Sequence, residues 1–297
     1  MDNLLVVAAA GFAASMVDGA LGMGFGPTSS SILLAAGLPP AATSATVNVA
    51  KVATGLAAGA SHWRFGNIDR RLVVRLAVPG CLGALIGTTV LSRVDGDMLR
   101  PWLAVLLLGV GLRILFRFRK PLPTRDDGRN ADDKHLPASV TKGCEIVGGI
   151  GGITNGLIGA WGPVVTPFLL HRGVSPRTAV GSVNTAEAAV AAVSAGSLLA
   201  MLASGTLDVR VVVAMLLGGV AAAPIAAWSV RHLPARPMGL AVGGLLLVTN
   251  VRDLAPRMGI GDARWVVYTA IAMAIAAAGF APKLTNTPRI RIGNEVA

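Results

Sequence analysis

Charge is scarce in this chain. Only 14% of its 297 residues are Asp, Glu, Lys or Arg, against about 25% in ordinary soluble domains. With 53% hydrophobic residues and a mean hydropathy of +0.66, a water-soluble fold would leave most of its apolar side chains wet. Cysteine is scarcer still. Cys81 and Cys144 stand alone in apolar segments of different halves, which excludes a disulfide framework and a cysteine metal site and leaves packing as their role. The four histidines, at 62, 135, 171 and 232, have no metal-like spacing. No His/Asp set or Ser-His pair falls within the apolar segments, so a membrane-embedded enzyme has no constellation to work with. No cofactor or metal is expected. The net charge of +11 does not indicate nucleic acid, because the basic residues lie at the ends of apolar runs and in loops, the positive-inside pattern of a membrane protein.

What is present is a series of apolar runs, about 17–25 residues long with short charged breaks, the signature of membrane spans. The first, Leu4–Ala20, has the length of a signal peptide but is expected to stay in the mature chain. It lacks a basic leader, and Asp18 stands where a small-residue cleavage site belongs.

The chain also repeats itself. Leu21–Ala53 aligns with Leu157–Ala189 without a gap, so Gly26-Pro27 meets Gly162-Pro163, Gly37 meets Gly173 and Val47-Asn48 meets Val183-Asn184. After a short insertion, "GNID" (66–69) meets "GTLD" (205–208). This predicts an all-α integral membrane protein of two membrane repeats, 1–120 and 142–262. Residues 121–141 form a solvated linker, 263–282 an extra transmembrane helix and 283–297 a tail.

Each half reads as an apolar helix (Leu4–Ala20 or Cys144–Ile158), a Gly-rich break ending in Gly-Pro, a short helix, and three longer helices. The longer helices are predicted near 41–60, 72–91 and 98–117, then 177–203, 210–230 and 237–251. A short helix of about ten residues covers roughly 15 Å, half a hydrocarbon core. It therefore returns from mid-membrane as a re-entrant hairpin, and broken backbone at that depth must be buried in protein or line a wet cavity. Three crossings per half make the second repeat inverted. The basic residues of the linker and of loop 61–71 put both in the cytoplasm, with the N-terminus outside and the C-terminus inside. Loop 252–264, predicted outside, runs against this bias with Arg252, Arg257 and Arg264.

The two Gly-Pro breaks are expected to meet near the membrane centre. Proline favours the first turn of a helix. Pro27 and Pro163 therefore open half-helices whose N-termini attract anions. The candidate substrate-binding residues follow: Gly24, Gly26, Thr28, Ser29 and Ser30 at the first break, Gly162 and Val164 at the second. Asn48 and Asn184 join them, at one repeat position. Because hydroxyls follow Pro27 and valines follow Pro163, the two sites are not expected to be equivalent. Small residues also serve plain helix packing, the reading preferred for Gly22, Gly24, Gly149 and Gly152 singly. Asn48 and Asn184 could equally satisfy the broken backbone.

Lys51 and its repeat mate Glu187 lie mid-span, where an ionisable residue is costly and functional by default. Two arrangements fit. They form an ion bridge, which can be purely structural, or Lys51 neutralises a bound anion while Glu187 carries a proton.

At these residues the chain resembles the TauE/SafE family, also called TSUP, of sulfite and organosulfonate transporters. The resemblance rests on "DGALGMGFGPTSSSILLAAGLPP", "SHWRFGNID", "GGITNGLIGAWGPVVTPFLL" and "GSVNTAEA" and covers both halves. It implies a secondary transporter moving a small sulfur-containing anion, such as sulfite, sulfoacetate or thiosulfate, across the cytoplasmic membrane. Protons are a possible coupling ion, and the bilayer is the other partner. A passive anion channel and a thiosulfate or phosphonate transporter of the same fold are the alternatives. Two features depart from the family pattern. Thiosulfate-importing members are associated with several pore cysteines, which Cys81 and Cys144 do not reproduce. The first half reads Val49-Ala50-Lys51 where relatives tend to carry Thr-Ala-Glu, which favours direct anion attraction at Lys51. Nothing in the sequence gives an oligomeric state.

Overall fold

The computed structural model describes residues 4–21, 24–119, 141–202, 208–232, 235–256, 259 and 269. Among them the regular structure is helical, in ten elements. The first half contributes α1 (Leu4–Leu21), α2 (Phe25–Ala35), α3 (Pro40–Arg64), α4 (Arg70–Arg93) and α5 (Gly96–Arg119). The second contributes α6 (Cys144–Ile158), α7 (Gly162–His171), α8 (Pro176–Met201), α9 (Val209–His232) and α10 (Ala235–Leu254). The predicted linker, apart from its last residue, and nearly all of the predicted extra helix and the tail fall outside the described residues.

The helix ends follow local chemistry. Asp69 caps α4 by accepting the Leu72 N–H at 3.0 Å, and Ser175 caps α8 just ahead of Pro176. Both short helices stop in the same turn. Gly37 and Gly173 take positive φ, 91° and 85°, which an L side chain resists. The Leu38 N–H then donates back to Leu33 and the Val174 N–H to Leu169, at 3.0 and 3.1 Å. These residues are repeat mates, so the two halves share hydrogen-bond pattern as well as sequence.

Packing between the halves is crosswise. α4 lies along α6, and its repeat mate α9 lies along α1, while α5 pairs with α10 and α3 with α8. The crosswise contacts are backbone-close. A Cβ on Gly152 would sit 1.9 Å from the Gly80 carbonyl oxygen, and one on Gly218 1.9 Å from that of Ala8. The packing role expected of Gly152 is what the structure shows.

Polarity is distributed inside out. Large apolar side chains face outward on α4, α5 and α9, with Leu82 at 61%, Phe116 at 65% and Leu217 at 65% exposure. The interior holds Thr28, Ser29, Ser30, Ser44, Asn48, Lys51, Asn155, Thr166 and Ser194. Water would penalise that arrangement and lipid rewards it. Three helices among the described residues, spanning 70–93, 96–117 and 178–201, are long and apolar enough to cross a membrane. α3 has the length, with 25 residues, but its buried Ser44, Asn48 and Lys51 lower its hydropathy.

Candidate functional site

The candidate site lies where the two breaks touch. A Cβ on Gly26 would lie 1.8 Å from the Gly159 carbonyl oxygen, so only glycine at position 26 lets the start of α2 reach the end of α6. Gly159 ends α6 with φ +68°, and its N–H returns to the Asn155 carbonyl at 2.8 Å. A helix that stops inside protein leaves its last carbonyls without partners. Here polar side chains from α2 and α3 supply them. Ser30 donates to the Ile158 carbonyl at 2.8 Å, Ser44 to Gly156 at 2.7 Å and Asn48 to Asn155 at 3.3 Å. Lys51 donates to the Gly159 carbonyl at 2.7 Å and to Asn155 Oδ1 at 2.9 Å.

Lys51 is also ion-paired with Glu187 on α8. The three protons of its ammonium thus meet three partners: a carboxylate, an amide oxygen and a backbone carbonyl. It lies at the C-terminal end of α6, where the helix dipole favours a cation. Its side chain is 5% exposed and that of Glu187 17%. Each alone at this depth would be an uncompensated charge, which makes them interdependent.

Asn155 joins these groups. Its amide donates to Asn48 Oδ1 at 2.7 Å and to Ser194 at 3.1 Å, while its oxygen accepts from Lys51. α3, α6 and α8 are tied together through this one side chain. Sequence reasoning did not single it out. The available signal was a lone amide in the apolar, Gly-rich "GGITNGLIG". Asp18, read only against a cleavage site, is the other omission. It accepts the Phe25 N–H at the start of α2, at a long 3.4 Å, and interacts electrostatically with Glu187 and Lys51. A carboxylate inside an apolar segment, immediately before a Gly-rich break, was its signal.

The remaining candidates divide. Ser29 bonds its own helix, at the Phe25 and Gly26 carbonyls. Ser31 accepts from Asn250 on α10 at 2.7 Å. Thr28, in the first turn of α2, is fully buried and its hydroxyl has no hydrogen-bond partner; nor does the buried hydroxyl of Thr166, the fifth residue of α7. Gly24 precedes α2 without a side-chain cap. Gly162 and Val164 open α7, where the Val164 and Val165 N–H groups both donate to the Trp161 carbonyl at 3.1 Å. Trp161 itself is fully buried and donates to the Val183 carbonyl at 3.2 Å. Asn184 is half-buried on α8 and does not enter the Lys51 network. A cavity of about 760 Å³ opens among α3, α4 and α8, with walls such as Val52, Leu56, Val74 and Ala188. Those walls are mostly apolar and suit hydrocarbon better than an anion. Among the described residues no cluster of His, Cys, Asp and Glu could hold a metal.

Comparison with known proteins agrees with this architecture. The family described as "Sulfite exporter TauE/SafE" matches residues 7–252. The chain is 37% identical over 278 residues, 91% of its length and 87% of the relative's, to "Probable membrane transporter protein YtnM" of Bacillus subtilis (strain 168). No solved structure matches. A multi-pass helical protein with a polar interior, matched from the first helix to the last described one, belongs to the TauE/SafE sulfite exporter family of membrane transporters.

Proposed function

We propose that the protein is a secondary transporter of a small sulfur-containing anion, sulfite or an organosulfonate such as sulfoacetate, across the cytoplasmic membrane. The observation that carries this reading is the junction of the two breaks. It is buried within an apolar shell and combines a helix N-terminus, an ion pair and unpartnered hydroxyls. Purely structural polar groups find partners in a folded protein. Among the unpartnered hydroxyls, those of Thr28 and Thr166 lie on the two half-helices near their N-termini, and these are the residues assigned to substrate, together with the backbone at Gly24–Gly26 and at Gly162. Ser30, Asn48 and Lys51 hold the end of α6 in place, and Lys51 and Glu187 set the charge of the centre.

The repeat supplies the machinery. Residues 1–120 and 142–262 are read as inverted halves joined by a cytoplasmic linker at 121–141. The last span at 263–282 and the tail at 283–297 return the C-terminus to the cytoplasm. Crosswise packing of α4 on α6 and α9 on α1 supports two halves that rock about the junction, the motion that alternating access requires. Both family and relative are named for transport rather than catalysis.

The test is flux. The purified chain in proteoliposomes should take up sulfite or sulfoacetate with saturable kinetics that respond to a proton gradient. Non-saturating flux would mark a channel. Selective thermal stabilisation by a phosphonate or thiosulfate, over sulfite, sulfoacetate and taurine, would move the substrate assignment within the same fold.

A further inference from the structure

The first break contains an anion of its own. The carboxylate of Asp18, on α1, accepts the Phe25 N–H at the start of α2, the end of the helix where negative charge is stabilised. We propose that Asp18 and the transported anion compete for the α2 N-terminus, so that binding of the anion is accompanied by protonation of Asp18. This inference rests on the proposed function and assigns a residue to its proton.

Three observations support it. The first is the charge count. α3 faces Asp18 with Lys51 and α8 with Glu187; α2 faces it with the Gly24 and Phe25 N–H groups. No other charged group among the described residues acts on it, and α9 packs on α1 through uncharged positions such as Met215, Gly218 and Gly219. One cation and two carboxylates leave one negative charge at the centre. Adding a monovalent anion would double that charge in a low-dielectric interior. Adding it with one proton from solution, which turns the Asp18 carboxylate into a carboxylic acid, leaves the charge unchanged.

The second observation is the adjoining hydroxyl. Thr28 lies one turn into α2, buried and without a partner. A ligand at the helix N-terminus would give it one, and Asp18 does not. The third is the repeat. Carried three residues back, the alignment of the halves puts Asp18 opposite Thr154. Thr154 bridges the second break by donating to the Ala160 carbonyl at 2.8 Å. The same repeat position thus closes both breaks, and only the first-half version can ionise.

The experiment is a calorimetric titration of the full chain in detergent with methanesulfonate, whose own charge does not change over about pH 5–8. Buffers of different ionisation enthalpy count the protons exchanged. For the wild type, the expected result is one proton taken up per anion at the upper end of the range. Affinity should weaken there by about tenfold per pH unit, the slope for one linked proton. Asp18→Asn should bind at every pH with the wild type's low-pH affinity and take up no proton, and Asp18→Glu should keep the slope. If Asp18→Asn is not obtained folded, Asp18→Thr, the side chain of the matching second-half position, takes its place. Proton uptake or a pH slope surviving in the neutral variant overturns the proposal. So does a folded neutral variant that binds no methanesulfonate, and so does a wild type that binds it without proton uptake. A wild type that binds none of the sulfur anions at any pH removes the anion reading itself.

Discussion

At the second break Thr154 ties the chain together by donating to the Ala160 carbonyl, just ahead of α7. At the first break Asp18, in the same repeat position, reaches the first N–H of α2. Beyond the breaks the contrast continues. α6 ends against Ser30, Ser44, Asn48 and Lys51, so its negative end meets donors and a cation. α7 begins on a fully buried tryptophan. One repeated backbone design has been given two chemistries. The second break is closed by groups that cannot change charge, and the first is held by one that can.

The largest effect on this comparison is expected from Gly26→Leu. Its side chain would start inside van der Waals distance of Gly159, at backbone that cannot step aside. A loss exceeding the ~1–3 kcal/mol usual for overpacking is expected, read as collapse of the monodisperse peak in gel filtration. A Gly26→Leu protein that behaves like wild type would mean the breaks do not need contact.

Lys51→Met comes next. It strands Glu187 and leaves the Gly159 carbonyl and Asn155 without their donor, a cost of about 3–5 kcal/mol. Adding Glu187→Gln should recover most of the melting temperature, because the uncompensated charge is gone. Asn155→Ala should cost about 1–3 kcal/mol, since it removes one side chain from partners on two helices. If the double variant is no more stable than Lys51→Met alone, the pair is not the unit described.

The smallest stability effects should be the most informative. Ser30→Ala should cost about 1 kcal/mol through its lost bond to Ile158. Thr28→Val should leave the melting temperature nearly unchanged, because that hydroxyl has no partner to lose. Binding of sulfite or methanesulfonate should show the reverse order, weakened in Thr28→Val and retained in Ser30→Ala. Equal effects of the two changes on binding would erase the distinction between structural and substrate-facing hydroxyls.

Much of the architecture was legible from the sequence. The helix bounds expected from the apolar runs fall within about four residues of those observed, because Gly-Pro breaks and charged loops punctuate the chain strongly. The pairing of Lys51 with Glu187 was readable as one of two options, since both are ionisable residues placed mid-span at one repeat position. What the sequence did not convey was where the carbonyls at the end of α6 would find donors. Ser30 read as a ligand group, Asn48 as either a ligand group or a donor to broken backbone, and Lys51 as an ion-bridge or anion-binding residue, because the carbonyls they meet lie more than a hundred residues away. Asp18 and Asn155 are inconspicuous in the sequence for the opposite reason. Each is a single polar residue in an apolar helix, and its importance lies in what another segment brings to it.

The most direct measurement of the central claim is a structure of the protein soaked with selenite, the heavier analogue of sulfite, with the anion located by selenium anomalous scattering. The account places the selenium at the N-terminus of α2, within hydrogen-bond distance of Thr28 and with the Asp18 carboxylate displaced from Phe25. A selenium site elsewhere in the protein, with Asp18 still on the Phe25 N–H, would contradict it.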